Sequence, residues 1–127
     1  MALSGTKFNE ATFGQLGSIY HDSTDSSITS DTSGYSSSDI TNHDPIPSGA
    51  VFVAITFLED SQFEASSGLV SENVKKFIST EGGSKGIDLD GGSVVDTPVV
   101  FPKGLTIYGR WTTINLQAGK CIAYIGY

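Results

Sequence analysis

The sequence predicts an all-β fold, a small antiparallel β-sandwich or barrel with an extended polar N-terminal arm. Three observations predict it. Charged residues are only 17% of the 127 residues while glycine occurs 15 times, a balance that disfavours helical bundles, which need Glu, Lys, Ala and Leu. After residue 50, runs rich in Val, Ile, Phe, Thr and Tyr alternate with Gly- and Pro-containing turn signals roughly every 8–15 residues, the rhythm of antiparallel hairpins. Residues 22–44, DSTDSSITSDTSGYSSSDITNHD, hold twelve Ser or Thr and five Asp in 23 positions, with only Ile28, Tyr35 and Ile40 large and apolar.

That last composition sets the domain division. So little apolar area cannot offset the roughly 1–2 kcal/mol per residue that backbone ordering costs. Residues 1–49 therefore read as an N-terminal arm, Ser/Thr/Asp-rich at 22–44, and residues 50–127 as the β-domain. The arm is either a disordered linker or a segment that orders against a neighbouring subunit. The preceding FGQLGSIY, Phe13–Tyr20, has enough apolar content to anchor one end of it.

Pro45, Pro47 and Ser48-Gly49 punctuate the chain before VFVAITFL, Val51–Leu58. Val, Ile, Phe and Thr dominate this run, and both parities are mostly apolar, as in a central strand covered on two sides. Glu59-Asp60 ends it, and Gln62-Phe63-Glu64 pairs onward after a bend. Over residues 70–78, Val70, Val74, Phe77 and Ile78 fall at helical spacing, but the stretch is short, so a loop with one helical turn fits as well as a helix. Ser93–Val100, with Pro98 inside it, reads as a short edge strand. Pro102-Lys103-Gly104 is a turn signal. In LTIYGRW, Leu105, Ile107, Gly109 and Trp111 share one face, and Thr106, Tyr108, Arg110 and Thr112 the other. The apolar set then moves to Ile114 and Leu116, so the change of parity places a bulge or tight bend near Thr112-Thr113. Ala118-Gly119 makes the next turn, and Lys120–Tyr124 is the final strand.

Composition excludes several classes without naming a function. The first 74 residues carry ten acidic groups and one basic group, Lys7, a net −9; the remainder carry four acidic and six basic groups, a net +2, giving −7 overall. No Lys or Arg lies between Phe8 and Val74, and such a surface repels phosphate, so no nucleic acid is expected as a partner. No apolar run approaches the roughly 18 residues of a membrane helix, so no membrane association is expected, and MALSGTKFNE lacks the features of a secretory signal. The single cysteine, Cys121, forms no internal disulfide and reads as a buried small hydrophobe.

No catalytic, cofactor-binding or metal-ligating residue is assigned. His21-Asp22 and His43-Asp44 border the polar arm and read as solvated polar residues, because a catalytic pair needs rigid support. Asp88-Leu89-Asp90-Gly91 opens like a calcium loop, but the twelfth position is Val99 and not the bidentate Glu such a loop requires. Tyr108, Arg110 and Trp111 could stack on a sugar, yet Trp111 shares its face with Leu105 and Ile107, which favours core packing. The candidate interaction residues are the large side chains of the arm and of the outward face of LTIYGRW: Tyr20, Ile28, Tyr35, Ile40, Tyr108 and Arg110.

The stretch FPKGLTIYGRWTTINLQAGKCIAYIGY, Phe101–Tyr127, resembles the close of a family of small virion structural proteins encoded by marine tailed bacteriophages. Pro102, Gly104, Thr106, Ile107, Tyr108, Gly109, Arg110 and Trp111 match its pattern, as do Gly119, Ile122, Ala123, Tyr124 and Gly126; Ala54–Asp60 is similar too. Together these cover about a quarter to a third of the chain. The resemblance implies a non-enzymatic component of the virion, made in the bacterial host cytoplasm and needing no cofactor. It is expected to act as a head decoration or cement protein that docks on the major capsid protein or another virion protein. It is also expected to form a homo-oligomer, with a trimer favoured. The alternative is a tail-associated fibre or adaptor that contacts host surface glycan.

Overall fold

A computed structural model of the protein describes residues 16–30, 48–73, 76–80, 87, 95 and 98–127. Tyr35, Ile40, His43-Asp44 and the Asp88–Asp90 loop lie outside the described residues. Within them the chain is all-β: β1 Gly17–Asp22, β2 Ile28–Thr29, β3 Val51–Phe57, β4 Gln62–Phe63, β5 Leu69–Ser71, β6 Thr106–Ile114, β7 Leu116–Ala118 and β8 Lys120–Gly126. The main sheet runs β1-β8-β3-β6-β2, with β5 also on β6, and β4 pairs with β7 in a smaller ladder; every pairing is antiparallel.

This order explains why the sheet is nearly a closed barrel. β1 and β2 are consecutive in sequence yet stand at opposite ends of the strand order. Four strand spacings of ~4.8 Å would separate them by about 19 Å in a flat sheet. The link between them is not extended. Asp25 donates its amide to the Asp22 carbonyl at 3.1 Å, and the Asp22 carboxylate accepts the Thr24 amide at 2.9 Å, an Asx turn. A compact link holds the two ends close, so the sheet curls round upon itself.

β3 lies between β8 and β6, as its doubly apolar sequence predicts, and six of its seven residues are buried. Its register against β8 gains a residue at Val53. β6 gains one near Gly109-Arg110 against β3, and another at Thr112 against β5, where the parity change in the sequence expects it. These bulges tighten the local twist and let one nine-residue strand serve both β3 and the β2/β5 end of the barrel.

Alternate residues of the paired strands line the interior. Ile19, Ala123, Ile55 and Ile107 form one inward row, and His21, Cys121 and Phe57 the next. At one end Phe57, Phe63 and Phe101 pack together, with ring centroids 5.0–5.9 Å apart in one stacked and two edge-on contacts; each such pair adds about 0.5–1.5 kcal/mol beyond area burial. The Ser61–Phe101 bridge carries Phe101 to this cluster. Trp111 is fully buried, with Nε1 donating to the Ile78 carbonyl at 2.8 Å, so it is a core residue and not part of a sugar platform.

Two expectations need correction. Residues 16–30 do not form part of an arm outside the β-domain, because Gly17–Asp22 is β1 on β8 and Ile28–Thr29 is β2 on β6. The stabilisation comes from ladder hydrogen bonds and a few inward side chains, Ile19, His21 and Ile28, and not from a long apolar run. Leu69–Ser71 is strand β5, so no helix begins at Val70; a single turn follows, in which the Asn73 carbonyl accepts the Lys76 and Phe77 amides, in keeping with the alternative of a loop with one helical turn. Of the expected edge strand Ser93–Val100, only Val95 and Pro98–Val100 lie within the described residues; Val95 donates its amide to the Ser79 carbonyl at 3.3 Å, and Pro98–Val100 makes no ladder.

Candidate functional site

The inward rows have an outward counterpart. On the other face of the sheet the register aligns Ser18, Tyr124, Ala54 and Tyr108 across β1, β8, β3 and β6, and beside them Tyr20, Ile122, Thr56 and Thr106. With strands ~4.8 Å apart and same-face neighbours ~7 Å apart, the two rows cover about 14 by 7 Å between Cα positions. Tyr108 is 76% exposed and Tyr20 52%. Ala54 points outward too, yet it is only 8% exposed, flanked by Tyr124 on one side and Tyr108 on the other. The Thr56 and Thr106 hydroxyls are 2.8 Å apart and hydrogen-bonded.

The local sequence dictates this arrangement. In TIYGRW the parity that turns Ile107, Gly109 and Trp111 inward turns Thr106 and Tyr108 outward. In KCIAYIG it sends Cys121, Ala123 and Ile125 in, and Ile122 and Tyr124 out. The result is a sheet surface of phenol rings around a small-residue floor. Tyrosines offer an apolar ring and a hydroxyl tip with little side-chain entropy to lose, which suits a contact surface.

Charged groups at the margins of this face are held by ion pairs or hydrogen bonds. Lys120 Nζ stands 3.0 Å from Glu59 Oε1, and this hydrogen bond and charge raise the lysine pKa. Arg110 meets Glu72 through both Nε and Nη2. Asp22 follows Tyr20 on the outward parity of β1; its carboxyl is held below the ordinary value by hydrogen bonds from the Thr24 hydroxyl and amide.

Of the six candidate interaction residues, Tyr20 and Tyr108 belong to this one face. Arg110 is engaged by Glu72 at its margin, which leaves its guanidinium occupied. Ile28 is half-buried and packs against the core. Tyr35 and Ile40 lie outside the described residues. The sequence reading missed Ala54, Ile122 and Tyr124. The parity argument applied to LTIYGRW finds the last two when extended to KCIAYIG.

Two buried groups complete the chemistry. Cys121 is wholly inaccessible, and burial pushes its thiol up to about 12, which removes it as a nucleophile. His21 is a correction, since it is fully buried and not solvated. Its Nε2 accepts the Leu116 amide at 3.1 Å, and burial lowers its pKa, with Asp25 and Asp22 opposing in part.

No protein-family model, curated protein or solved structure matches the chain.

Proposed function

We propose that the protein is a non-enzymatic structural component of a bacteriophage virion, a head decoration or cement subunit. Its barrel docks through the tyrosine face on the capsid or a neighbouring virion protein, and its copies associate as a homo-oligomer, with a trimer favoured. The observation that carries this reading is the Tyr108–Ala54–Tyr124 row. An outward, ring-lined patch on a small β-domain has the composition of a protein contact surface. The same two motifs that resemble the phage structural proteins, TIYGRW and IAYIG, supply its two tyrosines. In this role the protein is made in the host cytoplasm and resides in the virion.

A second reading is favoured by the hydroxyls of Thr56 and Thr106 beside the rings. Ring faces with adjacent hydroxyls also suit glycan stacking, as in a tail-associated fibre or adaptor. One experiment separates the two. Recombinant protein is mixed with purified heads, with tails, and with host-surface glycans, alongside Tyr108→Ala and Tyr124→Ala variants. Saturable binding to expanded heads, weakened at least tenfold by either variant, supports decoration. Binding only to tails or glycans overturns it in favour of the second reading.

A further inference from the structure

We propose that His21 is an acid-sensitive latch whose protonation releases β1 from the barrel while the rest of the sheet holds. The geometry is specific. Nε2 accepts the backbone amide of Leu116 on β7, a contact between residues 95 positions apart. An acceptor at Nε2 requires the neutral imidazole with its proton on Nδ1. That Nδ1 is buried and has no hydrogen-bond partner among the described residues. The site therefore holds a neutral ring by one accepted bond and, among the described residues, gives a charged one no hydrogen-bond acceptor.

A second proton would turn Nε2 into a donor directed at the donor it now serves. The neighbours on the adjoining strands carry no charge that would stabilise the resulting cation. From β8 the cross-strand neighbour is Cys121, a neutral thiol, and beyond it on β3 lies Phe57. β7 supplies Leu116, Gln117 and Ala118, and β4 supplies Gln62 and Phe63, none of them titratable. Among the described residues, the charges bearing on the ring are Asp22 and Asp25, at the end of β1 and in the turn after it; Asp22 is already committed to Thr24. Their field narrows the cost of protonation without removing it, since burial outweighs it.

Release would be local because β1 has no other deep anchor. It ends the strand order, and His21 is its only fully buried residue; Gly17, Ser18 and Tyr20 are exposed and Ile19 is half-buried. Strands with little buried apolar area open below the global unfolding energy. The sign follows from the lowered pKa in the folded state. The stability lent by neutral His21 is complete above the unfolded value of about 6.5 and is lost as pH falls below it toward the folded value. Opening would also remove Ser18 and Tyr20 from the end of the outward rows.

Amide exchange of the whole protein, corrected for intrinsic rates, tests the latch at about pH 7.5 and about pH 5, on either side of the histidine range. Protection of the β1 amides and of Leu116 should fall at least tenfold at the lower pH while β3 keeps its protection. In His21→Gln, where the amide oxygen can accept from Leu116 without titrating, protection should not depend on pH. Unchanged β1 protection in the natural protein, an equal loss across β3, or the same loss in His21→Gln would each overturn the proposal. If His21→Gln does not fold, the NMR titration of the His21 ring decides: it must follow the loss of β1 protection, and a ring that stays neutral through that loss refutes the latch.

Discussion

The indole of Trp111 lies over the α-carbon of Gly109, so that a β-carbon at residue 109 would stand 2.7 Å from Cζ2 and 2.8 Å from Cη2. The two residues share the inward parity of β6, and the ring folds back along its own strand into space that only glycine leaves open. Because Trp111 is fully buried, the ring has no solvent side to yield to. Gly109→Ala should therefore destabilise the protein by about 1–3 kcal/mol through overpacking. Urea unfolding followed by the emission of Trp111, the chain's single tryptophan, measures the loss, and a red-shifted native spectrum would report the displaced ring.

The other end of the same indole gives an independent test. Nε1 donates to the Ile78 carbonyl at 2.8 Å, tying the segment after β5 to β6. Trp111→Phe removes the donor, leaves that carbonyl without its indole partner and vacates part of the ring volume. The loss of a part-buried hydrogen bond and a small cavity together cost about 2–4 kcal/mol. Circular dichroism during urea unfolding is the measure, since the variant has no tryptophan. A loss under about 0.5 kcal/mol, the size of an ordinary surface substitution, would mean that the bond contributes little.

These contacts show which parts of the molecule the sequence made legible. Val51–Phe57 declared itself a central strand because both parities are apolar, and the shift from Trp111 to Ile114 located the bulge at Thr112. β1 was not legible, because the inward position after Ile19 is held by His21, a residue that reads as polar and interrupts the alternation. The Asp22 turn that closes the barrel looks in sequence like the start of a solvated arm. Its carboxylate spends its hydrogen bonds on the local backbone, a role that composition does not distinguish from solvation. The tyrosine face was half legible. Tyr108 stood out beside Trp111, but its relation to Tyr124 depends on Ala54 lying between them, and strand order across a sheet is not written in any one segment.

Gly119 marks the turn from β7 into β8 and combines two constraints. Its φ is +96°, and a β-carbon there would collide with Ser61 Oγ and fall 2.7 Å from the Asp60 carbonyl oxygen. Ser61 cannot easily retreat, because it is fully buried and its hydroxyl donates to the Glu59 carbonyl at 2.8 Å. Gly119→Ala therefore meets backbone strain and a steric clash together, and the expected loss is about 3 kcal/mol or more. In a thermal melt the midpoint should drop further than that of Gly109→Ala, and a melt equal to that of the natural protein would contradict the turn geometry.

Cys121 offers a check on the barrel interior that needs no substitution. Its side chain is inaccessible, and burial pushes its thiol up to about 12. At pH 8 the native thiolate fraction is then about one in 10,000, against roughly a quarter for an unperturbed thiol. A thiol-specific disulfide reagent should leave the folded protein unlabelled over hours and react fully once guanidinium unfolds it. The β1 latch adds a distinction, since His21 is the cross-strand neighbour of Cys121. If β1 opens in acid, brief exposure to about pH 5 with a reagent active there, such as a dipyridyl disulfide, should label Cys121 while the Trp111 emission stays native. Labelling at neutral pH at the rate of a free thiol would show that β1 does not cover β8, and the inward row from His21 to Phe57 would have to be abandoned.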